Sequence, residues 1–193
     1  MPHPADLRLD APLEVANWRP LVHWLLALPH LLIAGVLGQV AGVVAFVSWF
    51  IIVFTGKLPA GIADFQSLAI RYQARAYSYA AFLRESYPAF EFEVSQTDPG
   101  TDPLVVDITA ELEDRNRLTV GLRFLWIIPI AIYLWILALV AWFAMVAAFF
   151  VVLFTGRWPE GLRDFVLGVA RVSIRVSAYS YLLTDEYPPF ALD

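Results

Sequence analysis

Cysteine is absent from the 193 residues, which excludes disulfides, iron–sulfur clusters and thiol chemistry and leaves the redox compartment unread. Charge is scarce: 16% of residues are charged and 60% apolar, against about 25% and roughly 45–50% in soluble domains. It is also unevenly placed. No Asp, Glu, Lys or Arg occurs from Leu21 to Phe54 or from Phe124 to Phe154. Uncharged apolar runs of about 18 residues or more read as membrane-spanning, so an integral membrane protein is predicted. A net charge of −5 argues against nucleic acid as a partner. Also missing are Gly-x-Ser-x-Gly, a phosphate-cradling glycine loop and His-Glu-x-x-His. No catalytic residue, metal or cofactor is predicted, and an enzyme is not expected. The acidic, proline-bearing Met1–Pro20 lacks the basic start and apolar core of a cleavable signal peptide, so none is expected there.

What the chain does contain, it contains twice. Phe154-Thr155-Gly156-Arg157-Trp158-Pro159 and the residues through Phe165 repeat Phe54-Thr55-Gly56-Lys57-Leu58-Pro59 and the residues through Phe65. The register then holds without a gap: Arg71 matches Arg171, Arg75 matches Arg175, and Tyr87-Pro88 matches Tyr187-Pro188. Fourteen of thirty-seven positions from Phe54 to Phe90 equal their partners, more than chance allows, so the chain is a tandem duplication. The polar, turn-rich Gln96–Pro103 separates the copies. The predicted organisation is a first membrane repeat over 1–95, a linker over 96–103 and a second membrane repeat over 104–193.

Each repeat should be mainly α, with about two spanning or interfacial helices and a share in a small extramembrane β-sheet. Alternation at Leu7–Asp10, Phe90–Val94, Val106–Thr109 and Phe190–Leu192 marks four strand candidates. Strand edges are not satisfied in lipid, so the sheet belongs outside the bilayer, with an acidic face formed by Asp10, Glu91, Glu93, Asp107, Glu111 and Glu113. As helix, Leu21–Phe54 would be about 51 Å long, against a hydrocarbon core of about 30 Å. Bends at Pro29 and Pro129 are therefore expected, leaving Leu31–Phe54 and Ile130–Phe154 as spans. Thr-Gly ends each span. The second helix of each repeat, Gly61–Arg84 or Gly161–Thr184, either crosses back or lies flat in the interface. Crossing back is preferred, because it returns each unit to its starting side as parallel repeats about an axis along the membrane normal. The balance of arginines then puts the strands weakly in the cytoplasm.

Phe-Thr-Gly-(Lys/Arg)-x-Pro, the Arg-x-x-x-Arg that follows and the closing Asp185-Glu186-Tyr187-Pro188-Pro189-Phe190 resemble the uncharacterised bacterial membrane family known as domain of unknown function 4389. The resemblance covers nearly all of both units. The first copy departs at its end, where Glu85-Ser86-Tyr87-Pro88-Ala89-Phe90 lacks the full acidic pair and the second proline. What the resemblance implies is an integral protein of a bacterial inner membrane, with no site residues to carry over.

Four arginines are the sharpest candidates. Arg71, Arg75, Arg171 and Arg175 are nearly the only charges on otherwise uncharged helices, and each intramembrane Arg costs at least about 2.5–3.5 kcal/mol. They suit lipid phosphates or other anions. The competing structural reading pairs them with Asp64 and Asp164 or with backbone carbonyls, and it is preferred. Gly38 and Gly42, with the weaker Ala144 and Ala148, form small-residue faces for helix packing, expected within the chain before dimerisation. His23 and His30 stand about 10 Å apart along one helix and cannot both ligate one haem, so they are read as histidines near an interface.

Three functions are open: a non-enzymatic scaffold or accessory subunit, a lipid- or anion-binding protein using the arginine stripes, and a channel or transporter. The first is preferred, since no convergent catalytic site is visible. The expected partners are membrane lipids and another membrane protein or a second copy of the chain.

Overall fold

The computed structural model describes residues 3–95 and 97–192; Gln96, which opens the predicted link, and Met1, Pro2 and Asp193 lie outside it. The chain runs β1 (Ala5–Leu9), α1 (Arg19–Leu26), α2 (Leu28–Thr55), α3 (Ala60–Ala80), β2 (Leu104–Ile108), α4 (Arg117–Gly121), α5 (Arg123–Thr155) and α6 (Glu160–Ser180). The fold is mainly helical, two repeats each with a long apolar helix, joined by a small antiparallel sheet. Helices α2 and α5 end where Thr-Gly predicts, at Gly56 (φ 74°) and Gly156 (φ 67°) in the left-handed region, which glycine enters without a Cβ penalty. Pro59 and Pro159 then hold the N-caps of α3 and α6.

Two expectations about the helices need correction. The chain does break before Pro29, where α1 gives way to α2. Pro129, however, lies inside an uninterrupted α5, and the corresponding break falls earlier, at Leu122. Asn116 starts the short α4 by accepting the Leu118 and Thr119 N–H groups, and α5 begins after Leu122 without a side-chain cap.

The sheet has two strands, not four. Strands β1 and β2 pair antiparallel about a centre at Leu7–Val106. Phe90–Val94 and Phe190–Leu192 carry no strand pairing. Their alternation has another cause: Phe90 stacks on His30, Phe92 on Tyr72, and Phe190 meets Tyr133 edge-on. One side of each segment packs on helices, which produces the period of a strand without its ladder.

The units are not parallel. The Trp158 indole at the start of α6 donates to Phe82 O at the end of α3, and Arg163 donates to Leu83 O. At the other end, 111–112 bonds both Leu183 O after α6 and Leu58 N before α3. So α3 and α6 run antiparallel, and α2 and α5 with them. The strands still meet, because each unit's N-terminal arm crosses to the other unit. Strand β1 packs on α6 and β2 on α3.

Three layers result. On α3, Arg75 bonds Leu104 O of β2 and Arg71 bonds the 95–97 segment, while Tyr72 and Ala76 pack against Ala34 of α2; positions 71 and 76 stand about 140° apart at 3.6 residues per turn. On α6, Val172 and Val176 meet Ile130 of α5 on the side away from β1. The order is therefore the sheet, then α3 with α6, then α2 with α5. The central pair is largely enclosed, and the outer pair exposes a broad apolar surface that includes Leu32, Phe46, Trp135 and Trp142.

Candidate functional site

The arginines of the central pair form a ledge under the sheet. In the first unit Arg75 donates Nη1 to Glu91 (2.7 Å), Nη2 to Asp98 (2.8 Å) and Nε to Leu104 O of β2 (3.4 Å). Arg71 donates to Thr97 O at 2.6 Å and to Ser95 O. In the second unit Arg175 donates Nε to Ala5 O of β1 (3.4 Å), Arg171 donates Nε to Leu7 O (3.1 Å), and Asp6 lies 3.6–3.8 Å from both. Leu104 and Ala5 hold equivalent places at the starts of the two strands. Arg75 and Arg175 thus make the same bond, each to the other unit's strand. A guanidinium keeps its charge when enclosed, so it must find acceptors; the opposite unit's strand supplies the shared carbonyl, and in the first unit the 91–98 segment supplies the rest.

The predicted ion-pair partners are replaced. Among the described residues neither Asp64 nor Asp164 lies within salt-bridge distance of an arginine; the carboxylates that lie so close to these four are Glu91, Asp98 and Asp102 for Arg75 and Asp6 for Arg171 and Arg175. The reason is the sheet and the 91–98 segment, which bring carboxylates onto the ledge from sequence-distant arms.

A second set of charges clamps the helix ends. Asp185 accepts from Arg115 (2.6 Å), from Arg123 and from Asn116 N. Burial alone would raise this carboxyl, but Arg115, the Asn116 N–H and Arg123 outweigh it and hold it below its ordinary value. Glu85, the equivalent residue, accepts from Ala16 N at 2.6 Å and lies 3.6 Å from Arg19. His23 Nδ1 bonds Tyr79 O at 2.9 Å, and Arg123, one hundred positions on, bonds Tyr179 O at 3.0 Å. Different residue types thus close the same helix end. His30 bonds the Tyr72 hydroxyl at 2.8 Å. Both histidines are enclosed in the protein, not set at an edge as the sequence reading has them. Past these ends Phe82 (φ 45°) and Leu182 (φ 64°) take the left-handed conformation, at roughly 1–2 kcal/mol each; burial of their side chains offsets it.

The closing acidic residue, the Thr-Gly turn and the paired arginines are the features that recur, and they recur inside a recognised unit. The family described as Domain of unknown function (DUF4389) matches residues 17–91 and again 117–191. The chain belongs to this family. No curated protein and no solved structure matches it.

Between the two DUF4389 units lies a cavity of about 160 Å³ in the α3–α6 seam. Leu7 and Leu104 of the sheet roof it, and Ile70, Ala74, Val166 and Ala170 form its walls. Of the predicted packing residues, Gly38 faces the Gln73 side chain of α3, whose amide would stand 2.7 Å from an added Cβ. Ala148 is buried and Ala144 packs on the main core. Gly42 does not belong to the contact; it is exposed, with nothing within 4 Å of its Cβ position. The buried stripe of α2 instead follows Ala34, Ala41, Ala45, Ser48 and Ile52. Asp98, Asp102, Asp185, Arg84, Arg115 and Arg123 escape sequence reasoning, although the shared offset of Glu85 and Asp185 is a visible signal.

Proposed function

We propose that the protein is a non-enzymatic membrane accessory module that rests in one leaflet, with α2 and α5 lying along the bilayer and the sheet turned to water. The observation that carries this reading is the position of the sheet over the midpoints of α3 and α6, opposite the apolar layer. Upright helices would put Arg8, Asp107 and Asp6 (side chains 70%, 55% and 44% exposed) near the bilayer centre. Each such charge costs at least about 2.5–3.5 kcal/mol there. Laid flat, an α2–α5 layer about 10–12 Å thick fits the half of a roughly 30 Å core that one leaflet supplies.

The composition of the apolar layer supports the same reading. The most apolar stretches of α2 and α5 have mean hydropathies of 2.3 and 2.8, yet only 22% and 17% of them are buried in the protein. The core helix of a soluble protein would be mostly enclosed. On the other side the exposed carboxylates Asp10, Glu14, Glu93, Asp107, Glu113, Asp114, Glu160, Asp164 and Glu186 outnumber the exposed cations Arg8, Lys57, Arg117 and Arg157. That face suits a partner with a basic surface and is repelled by anionic headgroups, which favours its pointing away from the bilayer. The stripe arginines support a structural role over lipid or anion binding, because they are engaged by the strand carbonyls Leu104 O, Leu7 O and Ala5 O and by the 91–98 segment.

Depth measurements test the orientation. Positions 128, 135 and 142 share one face of α5 and span about 21 Å along its axis. Single-tryptophan variants, with Ile128→Trp providing the first, should give equal quenching by lipids brominated at one chain depth. Quenching that varies steeply along the three positions means an upright helix and overturns the proposal.

A further inference from the structure

We infer that the α3–α6 seam is a binding site for the end of one lipid hydrocarbon chain, entered from the bilayer side; the inference rests on the leaflet-seated reading above. The cavity's roof is closed by Leu7 and Leu104, which are buried beneath the sheet. Its opposite end is marked by Gln73, whose amide reaches Gly38 of α2, and by Tyr77, which is 53% exposed. The opening therefore lies on the side of α2 and α5, the layer seated in lipid. Most of the lining is apolar. Ser78 spends its hydroxyl on Arg75 O, and Ser173, Ser177, the Gln73 amide and the Tyr77 hydroxyl are the other polar groups among aliphatic and small side chains. A water needs two to four polar partners, whereas an apolar cavity of about 150 Å³ accepts a benzene-sized hydrocarbon. The space in the seam, about 160 Å³, thus suits roughly six carbons of a chain.

The duplication supplies an internal control. Ala81 lines the cavity. Its equivalent, Tyr181, does not, so a methyl group in one unit stands where the other carries a bulky ring. The repeat-related pairs Ile70 and Ala170, Gln73 and Ser173, Ala74 and Ile174, and Tyr77 and Ser177 all line it. It therefore straddles the two units as a single space, and one chain per protein is expected.

The test uses the full chain in phosphatidylcholine vesicles containing a phosphatidylcholine with a diazirine at the end of one acyl chain. After illumination, crosslinks should map to the seam, on 70–81 and 166–177, as well as to the outer face of α5. In Ala81→Tyr, and independently in Ala170→Leu, seam capture should fall about tenfold while capture on α5 persists. Labelling of α5 without the seam in the natural chain overturns the inference and leaves the leaflet seating intact. Seam labelling that survives both substitutions also overturns it, because the chain would then lie elsewhere. Loss of labelling at both places refutes the seating itself. Seam capture in the natural chain is decisive even where one variant does not fold.

Discussion

The two arginine ledges carry the same residues and differ in what surrounds them. Arg75 and Arg175 each send Nε to a strand carbonyl at 3.4 Å. Around that shared bond the first unit places Glu91, Asp98 and Asp102, with the Asp98 side chain fully enclosed. In the second unit the described partner is Asp6, 44% exposed. The common bond does the common work, tying each helix to the other unit's strand. The carboxylates decide how much is lost with the arginine, because a buried charge stripped of its partner costs far more than an exposed one.

The comparison breaks most visibly at these arginines. Arg75→Met leaves Asp98 enclosed without its ion-pair partner and should cost about 3–5 kcal/mol. Arg175→Met loses hydrogen bonds and a half-exposed pair and should cost about 1–2 kcal/mol. Denaturant unfolding of both variants in the same detergent measures the difference, and equal losses would remove the carboxylates from the account.

A smaller effect is expected at the two clamps. Asp185→Asn removes an anion shared by Arg115 and Arg123, which are 0% and 5% exposed, and should cost about 2–3 kcal/mol. Glu85→Gln, at a clamp 40% exposed, should cost less than about 1 kcal/mol. Asp185 also gives the comparison a pH dependence. Its folded-state value lies below the ordinary 3.8, so its stabilisation is complete above that value and is lost as pH falls through the depressed one. Unfolding followed from neutral pH into that range should show an acid-sensitive component that Asp185→Asn abolishes. A curve of unchanged shape in the variant would assign the acid sensitivity to other carboxylates.

The smallest expected difference lies at the turns. Alanine at Gly56 meets only the flexible Arg117 side chain, at 3.2 Å, and should cost the left-handed penalty of about 1–2 kcal/mol. At Gly156 the new Cβ would stand 2.6 Å from Asn17 Oδ1 and 3.4 Å from Val15 O, and Asn17 is held by its bond to Leu153 O. Gly156→Ala should therefore lower the unfolding temperature more than Gly56→Ala. The reverse order would mean that Asn17 gives way freely.

Much of this was legible in the residues. The offset of one hundred marks the units, the Thr-Gly steps mark the ends of α2 and α5, and uncharged runs mark the outer layer. The sequence shows that the arginines need partners, but it points to Asp64 and Asp164 because they share the arginines' helices. Helical spacing reports which residues share a face, not what arrives on that face from a distant arm. Phe90–Val94 misled for a related reason. Alternation records that one side of a segment is covered, and a helix flank covers it as well as a sheet does.

The sequence by itself determined the duplication, the glycine ends of α2 and α5 and the chemistry of each face, because these follow from periodicity, capping and local charge. Only the tertiary structure decided that the units run antiparallel, that each arm crosses to the other unit, and that Ala5 and Leu104 carbonyls meet Arg175 and Arg75. Those outcomes depend on which of several compatible surfaces come together. Two copies with the same pattern can pack parallel or inverted with each helix unchanged; the choice falls to the pairing of β1 with β2 and to the enclosure of the arginines beneath them.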